Sequence, residues 1–343
     1  MNWTQAAKRS TSVRYETLGD PERFGFPIEL LGLILCPRDS GRLALLETGC
    51  PSFVREGWVQ CASCRATYEI REGILRLFPA QEAIDPLVKT EQEARDEGAI
   101  RYDDRFRPWE NAVELSALRA ASNLSHRGVM LDLACGTGRL TIPLAALASA
   151  TIAADLSEAS LRVLAGKLRS NSKVALVWSD ATQLRLARGS IDFALATQFI
   201  EHIPDRAKRL RFFSGIRSAL RDGGEFVLSA YYYSALRALL GRKREGFHAN
   251  GIYYHRFTSS EIRTEMDGLF DVLWTRPTQI DPRLLPASSR ATIWLARVFE
   301  KMRIPFWIGQ LLLVKARKRS GPAVSSGNSV EERPRVATKA SEP

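Results

Sequence analysis

Three carboxylates and one glycine turn are spaced for ligand chemistry. In Val129–Leu140, which reads VMLDLACGTGRL, Asp132 stands four positions before Gly136-Thr137-Gly138. Glycines at a strand-to-helix junction let a ligand approach the backbone where a side chain would block it. A carboxylate at that lip suits a ligand carrying an amino group and hydroxyls better than one carrying a pyrophosphate. Asp155 follows about twenty residues after the turn, the spacing at which an acidic group commonly bonds ribose hydroxyls. Asp180-Ala181 ends the next apolar run. A nicotinamide dinucleotide site is the first competitor, but its third glycine would fall at Thr141 and it has no use for Asp132. Cys135 lies inside the turn, and it reads as a packed thiol rather than a nucleophile.

Further residues could move protons or hold metal. Glu201-His202 follows the fourth apolar run, and Tyr254-His255 lies downstream. His202, His255 and Tyr254 are candidate general bases for an acceptor that must lose a proton; His202 also has a purely structural reading. Cys61-x-x-Cys64 has zinc-knuckle spacing. Upstream, Cys36 stands in CPRD with Asp39 where a second thiolate would be expected, and Cys50 is a possible substitute. A Cys36, Asp39, Cys61, Cys64 zinc site and a metal-free apolar remnant both remain open.

The elements that position these residues alternate strand and helix, which argues for an α/β, Rossmann-like, seven-stranded and mostly parallel sheet with helices on both faces. Strands are expected at Val129–Leu133, Ala150–Ala154, Val174–Trp178, Ile191–Thr197, Glu225–Ala230, Val272–Thr275 and Gln310–Ala316. Helices are expected at Arg139–Leu147, Glu158–Leu168 with Ser157 as N-cap, and Arg206–Leu220. All three aspartates then stand at carboxyl ends of strands, where open α/β sheets bind ligands. The chain divides into a polar N-terminal extension lying loosely on the surface (1–27), a small β-rich cysteine module (28–79), a helical linker or cap (80–124), the large domain (125–318) and a disordered tail (319–343).

Composition sets the bounds. The chain has 343 residues, 45% hydrophobic and 25% charged, as expected of a globular protein. No apolar run reaches the roughly 18 residues of a membrane span, and MNWTQAAKRSTSVRYE lacks the apolar core of a signal peptide. Five cysteines, an odd number, argue against a disulfide framework and for the cytoplasm. The net charge of +11 admits RNA or an anionic membrane surface as partner, or simply a solvated basic surface.

Taken together, the D-x-x-x-G-x-G turn, the second-strand Asp155 and the third-strand Asp180-Ala181 resemble the class I S-adenosylmethionine-dependent methyltransferases. The likeness is to the broad group that includes ubiquinone and menaquinone methyltransferases, and it covers roughly Arg127–Tyr231. It implies that Asp132 and the loop Ala134, Cys135, Gly136, Thr137 and Gly138 face the methionine part of S-adenosyl-L-methionine. It also implies that Asp155 bonds the ribose, Leu156 meets the adenine, Asp180 and Ala181 hold its amino group, and the Gln198 backbone lies near the sulfonium. The stretch Tyr254–Glu261 resembles the family's segment before its last helix, with Thr258 or Ser259 as cap. The cysteine module resembles small zinc-ribbon-like proteins that activate methyltransferases, some of which carry no metal.

The acceptor half is less defined. Tyr231-Tyr232-Tyr233 precedes Leu236, Leu239 and Leu240 among Arg237, Arg242, Lys243 and Arg244. Such a stretch could cover an apolar acceptor, stack bases, lie on a membrane surface as a peripheral contact, or form a lid with a solvated basic face. Ser288–Met302 reads as a second amphipathic helix. The expected reaction is O- or C-methylation of a small molecule of quinone, lipid-linked or secondary-metabolite type. RNA methylation is the runner-up, although Thr197-Gln198-Phe199-Ile200 stands where an Asn-Pro-Pro-Tyr-like motif would be. A non-catalytic, cofactor-binding partner of another enzyme is the third reading; the oligomeric state is left open by the sequence.

Overall fold

A computed structural model of the chain describes residues 24–46, 51–78, 85–106, 108–122, 124, 128–169, 172–280, 294, 298, 302 and 304–320. The N-terminal part forms strands β1 (Leu43–Leu45), β2 (Gly57–Cys61), β3 (Thr67–Arg71) and β4 (Ile74–Arg76). Helices α1 (Pro86–Gly98) and α2 (Pro108–Ala121) follow. Then come β5 (Val129–Leu133), α3 (Thr141–Ala145), β6 (Ala150–Asp155), α4 (Glu158–Lys167), β7 (Val174–Trp178) and β8 (Ile191–Thr197). The chain continues through α5 (Arg206–Ala219), β9 (Leu220–Tyr231), α6 (Ala235–Leu239), α7 (Ser259–Met266), β10 (Phe270–Ile280), α8 (Pro305–Ile308) and β11 (Gly309–Lys318).

The strands lie in the order β10–β11–β9–β8–β5–β6–β7–β4–β3–β2–β1. The seven from β10 to β7 are the expected sheet: β9, β8, β5, β6 and β7 pair in parallel, and β11 runs antiparallel to both β9 and β10. The cysteine module adds the other four. Its strand β4 pairs in parallel with β7, so Leu176 stands beside Ile74. This join removes an unpaired edge from each partner.

Period-two alternation sends neighbouring residues of one strand to opposite faces. Leu131, Leu133, Ala194 and Phe226 pack with Phe212, Phe213 and Ile216 of α5, and with Ile262 of α7. Met130, Leu195 and Val227 pack instead with Leu118 of α2 and Leu144 of α3. Beside these, Ala153 and Leu176 meet Leu161 and Leu164 of α4. Helices therefore cover both faces.

Local chemistry sets the helix starts. Ser157 accepts from the Ser160 amide at the head of α4, and Thr258 and Glu261 form a reciprocal capping box on α7. The helix expected from Arg139 begins only at Thr141, because Gly138 and Arg139 still belong to the turn. The 1–27 expectation needs correction at its end. Phe24 and Phe26 are buried, and Phe26–Pro27 pairs antiparallel with Phe53–Val54; a buried aromatic pair outweighs the polar composition around it. Residues 1–23, Cys50, the tail beyond 320 and most of Ser288–Met302 lie outside the described residues. Among the described residues, no helix is long and apolar enough to cross a membrane.

Candidate active site

The carboxyl ends of β5, β6, β7 and β8 open on one cavity with about 1070 Å³ of empty space, part of it open to solvent. Ala134, Gly136, Asp155, Leu156, Asp180, Ala181 and Gln198 line it. Asp132, Cys135 and Arg139 line a smaller recess that shares Ala134, Gly136 and Gln198 with the main cavity. Every residue expected near the cofactor is therefore on this rim or, like Thr137 and Gly138, in the turn that builds it.

The turn is held from both sides. Ala134, Gly136 and Gly138 have positive φ angles of 57°, 54° and 81°. The Gly136 amide donates to Asp155 Oδ2 at 2.7 Å, and the Ser157 amide donates to Oδ1 at 2.8 Å. One carboxylate thus ties the turn to the head of α4. A Cβ on Gly136 would meet nothing within 4 Å, so that backbone is open to a ligand. Outside the cavity, Thr137 Oγ1 donates to Asp103 and Lys167 Nζ donates to the Thr137 carbonyl at 2.8 Å.

Burial tunes the acids. Asp132 is buried; Oδ2 accepts from Thr141 Oγ1 at 2.7 Å, while Oδ1 has no hydrogen-bond partner. Loss of solvent raises its carboxyl to about 7. Burial likewise raises Asp155, against the pull of its two amide donors. Asp180 is a turn acceptor, taking the Thr182 amide and hydroxyl at 2.8 Å each on Oδ1.

A roof over the cleft comes from residues that sequence reasoning missed. Leu87, Val88, Glu91 and Arg95 of α1 line the cavity with Tyr102. Arg95 donates to Glu91 at 3.1 Å, and its charge acts on Asp155. The spacing 87, 91, 95 marks one helical face, a signal readable in the sequence once α1 is placed over the sheet. Glu114 of α2, not itself a lining residue, pairs with Arg139 at 2.8 Å and accepts from Gln198 Nε2 at 3.1 Å. That anchor holds Gln198 in a left-handed conformation, φ 50°.

The three candidate bases separate. His202 lines the cavity, and its Nδ1 lies 2.7 Å from the Tyr253 carbonyl. A carbonyl only accepts, so Nδ1 carries the proton and Nε2 is the free acceptor. Burial lowers His202 to about 3, leaving it neutral. Its ring forms an aromatic cluster with Tyr231 at 5.8 Å and His248 at 6.3 Å, and Tyr254 joins at 4.8 Å from His248. His255 is placed elsewhere: Nε2 lies 2.9 Å from Glu261 and Nδ1 3.5 Å from Glu245, so it braces the antiparallel pair Glu245–Phe247 and Tyr253–His255 against α7. Glu201 is fully buried with both oxygens unpartnered, and burial raises it to about 8.

The cysteine module forms a second centre. Cys36 Sγ lies 3.6 Å from Cys64 Sγ, and Cys61 Sγ 3.3 Å from Asp39 Oδ1. All four ligand atoms fall within 4.8 Å of one another. A tetrahedral zinc with its usual bond lengths needs S···S edges of about 3.8 Å and S···O edges of about 3.5 Å. The donor set fits such an ion.

Residues 130–224 match the family described as "Methyltransferase domain". The match runs from β5 into β9 and contains Asp132, the glycine turn, Asp155, Asp180, Gln198 and His202. The central part of this chain is thus similar to that family over 95 of its 343 residues. A demethylmenaquinone methyltransferase of Clavibacter sepedonicus is 31% identical over 102 residues, 30% of this chain and 40% of the relative. A demethylmenaquinone methyltransferase of Mycolicibacterium vanbaalenii is 34% identical over 128 residues, 37% of this chain and 50% of the relative. The chain thus matches half or less of the length of these curated relatives. Among solved structures, phosphoethanolamine N-methyltransferase 2 of Haemonchus contortus, in complex with S-adenosyl-L-methionine, is similar over 71% of this chain and 62% of that one. Its sequence identity is 17% and its TM-score 0.49.

Proposed function

We propose that this chain transfers a methyl group from S-adenosylmethionine to a small, flat, apolar acceptor of quinol type, at oxygen or carbon. The observation that carries this reading is the pair Asp155 and Asp180 on the glycine-lined cavity with Asp132 in the recess that adjoins it, Asp132 Oδ1 being buried and unpartnered. An unsatisfied buried acceptor costs roughly 1–3 kcal/mol, and a cationic ligand group beside it would remove that cost. In this assignment Asp132 and the Ala134–Gly138 backbone face the methionine portion, and Arg95 supplies the cation for its carboxylate. Asp155 takes the ribose hydroxyls, Leu156 and Ala181 enclose the adenine, Asp180 accepts from its amino group, and the Gln198 backbone lies toward the sulfonium.

Bound S-adenosylmethionine supplies a methyl group already activated by its sulfonium, so the protein's task is alignment and exclusion of water. Leu87 and Val88 of α1 shield the cleft from above. The His202, Tyr231, His248 and Tyr254 rings suit an aromatic acceptor, and His202 Nε2 can take a hydrogen bond from an acceptor hydroxyl. A neutral, weakly basic imidazole fits a proton that leaves late, after the new bond has made the hydroxyl acidic. The quinol-type acceptor is further supported by the name shared by the two curated relatives. The test is transfer of labelled methyl by the full chain into cell extracts. Label in the apolar organic fraction is expected; label in RNA alone would overturn the acceptor class.

Asp132 gives this reading a pH signature. Its folded carboxyl is raised to about 7, so the stability of the cofactor-free fold falls progressively as pH rises from the ordinary carboxylate range to about 7 and is level above it. A cationic ligand prefers the charged form, so affinity should fall about fivefold as pH drops from about 7 to about 6, and about tenfold per further pH unit. Calorimetric titrations across that range should show the slope, and Asp132→Asn should flatten it. An unchanged slope in the variant would assign the titration elsewhere.

For the module, we propose a structural zinc held by Cys36, Asp39, Cys61 and Cys64. Protein produced with zinc should carry it stoichiometrically, and Cys61→Ser should lose both the metal and several degrees of melting temperature. Metal analysis that finds no zinc in the folded wild type would count against the site.

A further inference from the structure

The carboxyl edge of the sheet carries an apolar and basic surface that methyl transfer itself does not use. Leu239 and Leu240 of the α6 segment are 82% and 58% exposed, and Leu236 lies on the same side one helical turn earlier. α6 packs against α8, whose Phe306 and Trp307 are 51% and 61% exposed. The two helices meet beside the acceptor end of the cleft: Tyr231 ends β9 opposite Leu311 of β11, and Tyr232 donates its amide to Gln310 at 2.7 Å. Directly after α6 come Arg242, Lys243 and Arg244, all exposed. Between residues 231 and 256 the sequence has five Lys/Arg (Arg237, Arg242, Lys243, Arg244, Arg256) against one acid, Glu245.

We propose that this edge docks on an anionic lipid bilayer, with Leu239, Leu240, Phe306 and Trp307 entering the headgroup boundary and the basic run facing lipid phosphates. Leucine with tryptophan beside lysine and arginine is the chemistry of interfacial segments. The sign of the charge matches an anionic leaflet. Phe306 and Trp307 stand edge-on to each other, at 88°, rather than as parallel plates for stacked bases. Docking here would turn the mouth of the acceptor cluster toward the membrane, although the surface claim does not depend on the methyl-transfer reading.

The test is co-sedimentation of the full chain with vesicles of phosphatidylcholine and phosphatidylglycerol in equal parts, against phosphatidylcholine alone. Binding to the anionic vesicles is expected, with neutral vesicles left nearly bare. Leu239→Asp combined with Trp307→Asp should weaken binding at least about tenfold, and Arg242→Glu with Lys243→Glu by about tenfold or more. These side chains are exposed, so melting temperature should hold, and cofactor binding supplies an independent check on the fold. Absence of sedimentation with anionic vesicles, or binding that both double variants retain, would overturn the proposal. It would also be overturned if the same substitutions abolished binding to single-stranded RNA while the wild type ignored vesicles.

Discussion

Replacing Asp155 with alanine is expected to weaken S-adenosylmethionine binding by about a hundredfold, the loss of charge-assisted hydrogen bonds to two ribose hydroxyls. The same change removes the acceptor of the Gly136 and Ser157 amides, freeing the glycine turn from the head of α4. Both effects act in one direction on binding. On the empty fold the lost acceptor for these amides is offset by removal of a carboxylate that burial makes costly. Thermal stability without ligand should therefore change far less than affinity. Asp155→Asn should fall between, since its amide oxygen can keep one of the two backbone donors. Calorimetry on both variants, with melting curves alongside, reads this out; an alanine variant that binds like the wild type would remove Asp155 from the ligand site.

Gly138→Ala should destabilise the domain by about 2–4 kcal/mol, combining strain at a positive φ with overpacking. A Cβ at residue 138 would stand 2.2 Å from Leu164 Cδ1 and 3.1 Å from Cγ. Leu164 is fully buried between α4 and the sheet, so it has little room to withdraw. The melting temperature should drop by roughly 5–15 °C. Combining the change with Leu164→Ala should cost less than the sum of the two single losses, because the truncated side chain clears the overlap. Full additivity would show that backbone strain alone makes the glycine necessary. Gly136 is the contrast: its Cβ meets no protein atom, so Gly136→Ala adds only the strain of its positive φ, about 1–2 kcal/mol, and should act mainly on ligand affinity.

The strand-end carboxylates and the turn were legible because each sits at a local transition that sequence records directly: an apolar run, an aspartate, then glycine. Strand positions in the parallel core followed from the same short, β-branched and alanine-rich runs. Less legible were the contacts made across long sequence separations. The pairing of β4 with β7 rests on three residues, Ile74–Arg76, whose local pattern only marks them as part of the cysteine module. Its consequence reaches the cleft: Arg76 stacks over Trp178, and the Trp178 indole donates to the Leu156 carbonyl at 2.8 Å. Arg95 and Glu91 were hidden for a related reason. Their helix is charge-rich, and nothing local reveals which surface it covers. His255 was drawn in by its residue type, but its two carboxylate neighbours come from positions 245 and 261, and their proximity is tertiary.

The proposed methyl-donor site is the cavity bordered by Asp155 and Asp180, with Asp132 in the adjoining recess. Isothermal titration of the full chain with S-adenosylmethionine tests it most directly. Saturable, stoichiometric binding is expected, and Asp155→Ala should weaken it about a hundredfold. A folded wild-type chain that releases no binding heat at high micromolar ligand would contradict it.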